Sequence, residues 1–513
     1  MADATLIFQR DGTMLVTPGH GIESILGTLR RCAQLRSIVA GNYVFDFSPV
    51  AVWGSIARGV TAPDQLTDLD RSAATPVPAA FAARLAETAA RYGAIRMIWD
   101  GADTQIVVRD PTILPQIGIE RSAARNGSVS LSAHDVSRVK LAAIRAGWPV
   151  VDERPITGYT STIALGDAVR LRPYQASAVR EFAAGRDGVV LLPCGAGKTV
   201  VGVASAAAAG GPVLVVVPSR TVGDQWQATF RELTSIEAAD VGWLGAGNAD
   251  RPISTVTYHA ATSGAAAGEL AGRRWRLVIY DEVQSLPADM FRLAAAIDAD
   301  RRLGLSATLV REDGREAEVF ALVGPPLYEA SWLELERDGW IAPARCVEVR
   351  VPRADAPTDS LRYRMAVVQR LLRQHDGAPV LVVGTDLSAL RAIGRRLGFP
   401  VLTGTSSNER RAELLDAFRS GDVRTLGLSR IGSVGIDLPD ASVLIQVSGT
   451  FGSRQEEAQR LGRLLRPAAG KTAHFYTVVA EGTREQHFAA RRQRFLVNQG
   501  YLYDILDASA LPR

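Results

Sequence analysis

Cysteine is nearly missing from this chain: Cys32, Cys194 and Cys346 are the only three in 513 residues, and they lie far apart. With no C-x-x-C pair, a disulfide framework and a cysteine-built zinc or iron–sulfur site are excluded. Such sparse cysteine suits a reducing cytosol, and a cytoplasmic protein is expected. A strong excess of one charge is also missing. The net charge is +4 and the pI about 9.0, a balance that permits a nucleic-acid partner without arguing for one. Long apolar runs are few. The longest uncharged stretch, Val200–Ser219, approaches membrane-span length, but Gly210-Gly211-Pro212 breaks it into a helix and a following strand. The start of the chain carries Asp3 and no apolar segment, so no signal peptide is expected. Neither membrane nor secretion is in prospect.

What is present is ordinary for a globular protein: 47% hydrophobic and 22% charged residues. A chain this long divides its core among two to four domains. Before about residue 165 the pattern is mixed α/β. Asp11-Gly12 joins Leu6–Gln9 to Thr13–Val16 as a hairpin, and Gly101-Ala102 joins Ile95–Trp99 to Gln105–Val108 as another. Ser48-Pro49 opens a helix with a hydroxyl cap and a first-turn proline. This region, 1–165, holds no catalytic cluster and reads as an accessory module.

Beyond it, buried strands alternate with helices, the mark of parallel α/β sheets. One series runs Val189–Leu192, Val213–Val217, Ile253–Thr257, Leu277–Tyr280 and Leu303–Ser306. A second runs Val380–Val383, Val401–Leu402, Thr425–Leu428, Val443–Val447 and Phe475–Val479. Two related lobes, 166–345 and 346–513, are therefore expected, with Val351–Gly377 as the hinge region.

Leu191-Leu192-Pro193-Cys194-Gly195-Ala196-Gly197-Lys198-Thr199 organises the rest. A strand, a glycine turn and a helix N-terminus together make an anion trap of backbone N–H groups and helix dipole. Gly195 and Gly197 let the backbone close on phosphate, Lys198 reaches the β/γ-phosphates, and Thr199 ligates Mg²⁺. Leu192 stands where the strict consensus has its first glycine. About eighty residues on, the apolar strand Leu277–Tyr280 ends in Asp281-Glu282, with Gln284 two residues later. Carboxylates at the C-terminal end of a parallel strand face the ligand crevice. Asp281 is expected to hold Mg²⁺ and Glu282 to orient and deprotonate the attacking water. Ser306 and Thr308 end the next strand beside the same crevice and suit a relay between the lobes. Gln459, Arg463 and Arg466 share one face of a helical segment, where arginines can meet charge on a transferring phosphoryl group.

In this order the motifs resemble superfamily 2 helicases. Leu171-Arg172-Pro173-Tyr174-Gln175 is similar to that superfamily's adenine-reading segment. The phosphate loop, Ser306–Asp313, the string from Leu438 to Arg466 and the tail Arg492–Tyr501 resemble the XPB family, with Arg311-Glu312-Asp313 the most specific element. The resemblance covers Leu171–Leu506 and, more weakly, the N-terminal region. It implies two tandem RecA-like, doubly wound parallel-sheet lobes behind a smaller mixed α/β accessory region. It further implies ATP held by Arg172, Gln175, Lys198 and Thr199, with Asp437 contacting nucleotide and Arg463 and Arg466 as arginine fingers. Arg311, Glu312 and Asp313 are placed by it near strand separation, and Arg430 and Ser433 in the segment coupling DNA to ATP. Two departures stand out. Gln284 replaces the histidine of the family's Asp-Glu-x-His, and Val351–Pro379 is too short for the helical thumb inserted between lobes.

The expected activity is a DNA-dependent ATPase using ATP and Mg²⁺, opening or moving along duplex and single-stranded DNA with 3′-to-5′ polarity. One rival is a duplex translocase that never separates strands, the motor of a multi-protein defence or repair complex; a nuclease or repair protein is the expected partner. Another is an ATP-gated clamp without turnover. A monomer or weak oligomer is expected.

Overall fold

The computed structural model describes the chain apart from residues 1–2, 30, 40–41, 124–127, 155–162, 185–186, 194, 246–250, 263, 272, 286–296, 298, 308–314, 331, 355, 430–440, 449–460, 463, 466–469, 499–502 and 513. Two compact units emerge: Met1–Leu192 with Gly197–Ala330, and Pro193–Ala196 with Ser331–Arg513.

The first unit opens with the accessory region, built on two four-stranded sheets. Strands β1 (Thr5–Phe8), β2 (Met14–Thr17), β3 (Ala33–Val39) and β4 (Asn42–Phe47) form an antiparallel sheet in the order β1-β2-β4-β3. The first hairpin turns at Gly12, with φ 84°, and the Thr13 N–H donates to Asp11 Oδ1 at 3.0 Å. Ser48 caps the helix Pro49–Ala57 as expected, its hydroxyl accepting from the Ala51 N–H. Strands β5 (Ile95–Trp99), β6 (Thr104–Val108), β7 (Ser128–Leu131) and β8 (Val150–Asp152) make the second sheet, in the order β7-β6-β5-β8. Its core is aliphatic, with Ile95, Met97, Ile106, Ile117 and Val139 wholly buried.

The accessory region is docked onto the rest of its unit by real core. Trp53 and Ile144 pack with Phe320 and Ala321 in one buried cluster. Beside it, Glu318, itself buried, accepts from Arg145 at 3.0 Å and from Arg315 at 2.5 Å. Gly54 meets Pro326 so closely that a Cβ there comes within 3.2 Å of its ring. A buried carboxylate shared by two guanidinium groups satisfies the pairing that burial demands.

Seven parallel strands follow: β9 (Gly188–Leu191), β10 (Val213–Val217), β11 (Val241–Trp243), β12 (Ile253–Thr257), β13 (Trp275–Asp281), β14 (Ala299–Ser306) and β15 (Pro326–Glu329). Their order is β11-β12-β10-β13-β14-β9-β15, and every pairing is parallel. Val213–Val217 is buried at every position, as a strand covered on both faces by helices must be. This order places the C-terminal ends of β9, β14 and β13 side by side, bringing Leu191, Ser306 and Asp281 to one rim.

The second unit repeats the plan. Strands β16 (Ala344–Val351), β17 (Val380–Gly384), β18 (Val401–Leu402), β19 (Thr425–Ser429), β20 (Val443–Gln446), β21 (Ala473–Ala480) and β22 (Tyr503–Asp507) run in the order β18-β19-β17-β20-β21-β16-β22. All are parallel.

Val351–Gly377 is not the expected hinge. It is the end of β16 and an 18-residue helix, Pro357–Gln374, and the division between units falls at Ala330 and Ser331 instead. Val367, Val368 and Leu371 of that helix pack with Val347, Val349, Val380 and Val382 of the sheet. Pro357 does not break the helix because it sits in the first turn, where its missing N–H costs nothing. The helix is a β–α–β crossover.

At the far end of this helix His375 lies against His474, ring centroids 4.7 Å apart, with its Nε2 2.8 Å from the Tyr476 hydroxyl. Burial, helped by His474, holds the His375 imidazole down to about 4. Burial and Arg345 lower His474 as well. The unfolded chain therefore binds more protons than the folded one between pH 4 and the ordinary histidine value near 6.5. Stability is full above that window and is lost as pH falls through it. Thermal melts from pH 7.5 to 5 should show the protein losing a few degrees more than a His375→Gln variant; equal losses would remove the imidazole from the account.

Candidate functional site

The phosphate loop forms where β9 gives way to the helix Lys198–Ala209. Gly195 and Gly197 have φ of 85° and 80°, the left-handed region that only glycine enters cheaply. Gly197 is the helix N-cap, and the space a side chain there requires is taken by Gln175. A Cβ on Gly197 falls 2.5 Å from Gln175 Nε2. Gln175 is buried, and its Oε1 accepts from the Arg172 N–H at 2.9 Å, capping the helix Pro173–Ala183. One carboxamide thus starts that helix and abuts the phosphate loop. The Arg172 guanidinium donates to the Tyr174 hydroxyl at 3.2 Å.

The acids stand at the rim. Asp281 ends β13 and is buried; its Oδ2 accepts from the Trp226 indole at 2.9 Å and its Oδ1 from the Glu282 N–H at 3.0 Å. Its carbonyl accepts from the Tyr258 hydroxyl at 2.7 Å. Burial, with the Glu282 carboxylate beside it, pushes the Asp281 carboxyl up to about 6. Among the described residues Glu282 is the only non-glycine with positive φ, at 51°. Backbone in that region costs free energy and collects at functional sites. Its Oε1 lies 3.2 Å from Lys198 Nζ, so the phosphate-loop lysine and the strand-end acid meet directly. Its Oε2 accepts from Gln284 Nε2 at 2.6 Å, and Gln284 Oε1 accepts from the Ser306 hydroxyl. A hydrogen-bonded line therefore runs from Lys198 through Glu282 and Gln284 to Ser306 on the neighbouring strand.

These donors suit magnesium. Thr199 and Asp281 offer hard oxygen ligands, and among the described residues no group of three or more His, Cys, Asp or Glu forms a cage. Mg²⁺ takes one or two carboxylates and completes its octahedron with water and substrate phosphates.

Family models match in three places: "ERCC3/RAD25/XPB C-terminal helicase" over 361–511, "Type III restriction enzyme, res subunit" over 168–311, and "Helicase conserved C-terminal domain" over 6–131. The chain is 40% identical to the DNA 3′-5′ helicase XPB of Kineococcus radiotolerans, over 99% of its own length and 97% of that protein's. It is 39% identical to the protein of the same name from Mycobacterium tuberculosis, over 100% and 99%. The chain belongs to the XPB family. The fold is shared with the ATP-dependent Type ISP restriction-modification enzyme LlaBIII bound to DNA, at TM-score 0.53 and 13% identity, over 66% of this chain and 31% of that one.

Within the XPB family's Asp-Glu-x-His pattern, Gln284 is the departure, and its carboxamide lies between Glu282 and Ser306. It donates to the acid and accepts from the serine at once, with no charge to gain or lose between pH 5 and 8. Of the other predicted residues, Thr308, Arg311, Glu312, Asp313, Arg430, Ser433, Asp437, Gln459, Arg463 and Arg466 lie outside the described residues. Of the described residues in the stretch around the last three, Leu461, Leu464 and Leu465 are fully buried. Trp226 and Tyr258 escaped sequence reading. Neither lies in one of the sequence motifs, and the signal in the sequence is general: a buried indole N–H or phenol needs a partner.

Proposed function

We propose that this XPB-family chain is an ATP-dependent DNA helicase or translocase of 3′-to-5′ polarity. The observation that carries the reading is the line Lys198–Glu282–Gln284–Ser306 at the C-terminal rim of a parallel sheet. It joins the phosphate loop to the strand-end carboxylate of Glu282 and then to the next strand end, in a chain 40% identical to a DNA 3′-5′ helicase. Lys198 binds the β/γ-phosphates and leaves Glu282 when they arrive, freeing that carboxylate to orient and deprotonate water. Thr199 and Asp281 would hold Mg²⁺, which when bound neutralises charge developing on the phosphate oxygens. Gln284 and Ser306 respond to the Glu282 carboxylate and pass its state along the sheet edge. Arg463 and Arg466 supply positive charge to the transition state, Asp437 contacts nucleotide, and Arg311–Asp313, Arg430 and Ser433 act on DNA. The accessory region, 1–165, precedes an ATP-binding lobe, 166–345, and a second lobe, 346–513. Among the described residues no helix is long and apolar enough to cross a membrane; a cytoplasmic location belongs to this reading on the sparse cysteine of the sequence.

The test is ATP turnover measured against single-stranded and duplex DNA; no stimulation by either would overturn the reading. One observation favours translocation without strand opening as a second reading. The stretch Val351–Pro379, where a thumb insertion would be sought, is occupied by the crossover helix whose apolar face is committed to the sheet. Opening a base-pair step costs on the order of 1.4 kcal/mol in stacking, and a fork without grip ahead of it recloses. We therefore expect DNA-stimulated turnover with weak displacement of a strand from a duplex bearing a 3′ tail. Processive unwinding by the isolated chain would remove the need for a thumb.

A further inference from the structure

The structure assigns Trp226 a positioning role: its indole sets the plane of the Asp281 carboxylate for Mg²⁺ and ties that carboxylate to the helix carrying Lys198 and Thr199. The inference rests on the proposed Mg·ATP site and deepens it.

Trp226 lies on the helix Arg220–Leu233, whose buried positions Gly223, Trp226, Gln227 and Phe230 recur at helical spacing. Ser219 starts this helix, its hydroxyl accepting from the Val222 N–H, so the face that turns inward is set at its first turn. The indole enters the core 1% exposed and makes two contacts that matter. Its Nε1–H donates to Asp281 Oδ2 at 2.9 Å. Its six-membered ring lies on the backbone of the phosphate-loop helix at Gly202, where an added Cβ comes 2.3 Å from Cη2. Gly202 is glycine because the ring occupies the place of its side chain.

A carboxylate on a short side chain can rotate about χ2 at little cost, because that torsion is broad. Here the rotation is stopped from both sides, by Trp226 on Oδ2 and the Glu282 N–H on Oδ1. Each oxygen retains a further lone pair for water or metal. Partners of this kind orient metal-side ligands, and losing one typically lowers metal affinity about 10–100-fold. The same indole rests on the helix of Thr199, so the hydroxyl and the carboxylate are held to a common reference.

The experiment follows the binding of a fluorescent ATP analogue as Mg²⁺ is titrated, in the full-length protein and in Trp226→Phe, Asp281→Asn and the double variant. Trp226→Phe keeps a ring against Gly202 and removes the N–H. We expect its Mg²⁺ midpoint to rise about tenfold, with metal-free nucleotide affinity unchanged and no added effect in the Asp281→Asn background. A Trp226→Phe midpoint within twofold of the parent, while Asp281→Asn shifts, would leave Trp226 as packing alone. If Asp281→Asn itself leaves the midpoint in place, the Mg·ATP reading fails instead. Should Trp226→Phe not fold, benzothienylalanine at position 226 keeps the fused-ring outline and removes only the N–H. The same tenfold rise is then expected, and its absence overturns the role.

Discussion

Glu282→Gln is expected to bind ATP as the parent does and to turn it over roughly a thousandfold more slowly, within the range for loss of a general base. The geometry makes the separation clean. Glu282 is mostly buried, holds a left-handed backbone at φ 51° and places one carboxylate oxygen on Lys198 and the other on Gln284. Glutamine keeps the size and can keep the contact to Gln284, but it cannot accept a proton from water. Lys198→Ala should behave in the opposite way. A hydrogen bond to a charged group contributes about 1.5–3 kcal/mol, so Mg·ATP affinity should fall at least tenfold before turnover is considered. Equilibrium binding of labelled ATP beside steady-state phosphate release resolves the two. Near-normal turnover in Glu282→Gln would take that residue out of the mechanism.

Arg466→Ala should also lower turnover by a factor of roughly a thousand or more, the scale seen when a cation is withdrawn from a phosphoryl-transfer transition state. The rival explanation for Gln459–Pro467 is a solvated basic helix. The described part of the segment speaks against a wholly solvated one: Leu461, Leu464 and Leu465 are fully buried, and the Leu465 carbonyl accepts from the Ala342 N–H at 2.9 Å. The expected signature is a fall in DNA-stimulated turnover with little change in ATP affinity in the absence of DNA, since a group that acts on the transition state need not bind the ground state. Normal DNA-stimulated turnover in this variant would return both arginines to the solvated face.

Much of this protein follows from the sequence by itself, wherever a local rule suffices. Runs such as Val213–Val217 declare strands buried on both faces, and Asp11-Gly12 declares a hairpin. The glycines before Lys198 declare the phosphate turn, and an apolar strand ending in Asp281-Glu282 declares a crevice. Each signal is contained within a few residues. What tertiary structure decided is the set of features that depend on partners far away along the chain. Strand β16 is hard to see in the sequence because Glu348 and Arg350 interrupt its apolar pattern. Burial of Glu348 is tolerable only because Arg350 at 3.1 Å and Gln493 at 2.7 Å satisfy it. Strand β22, Tyr503–Asp507, has only Ile505-Leu506 as an apolar pair; among the described residues it pairs with β16 alone, and Ile505 is exposed. The helix Pro357–Gln374 read as a hinge because proline and charge mark its ends, while its buried face matches a sheet formed by strands before and after it. Gln284 read as a departure from a pattern until Ser306, on the adjacent strand, gave its carboxamide a second partner. Trp226 could be linked to Asp281 only once two elements 55 residues apart came together. A buried polar group must be satisfied, but which group satisfies it is chosen by the fold.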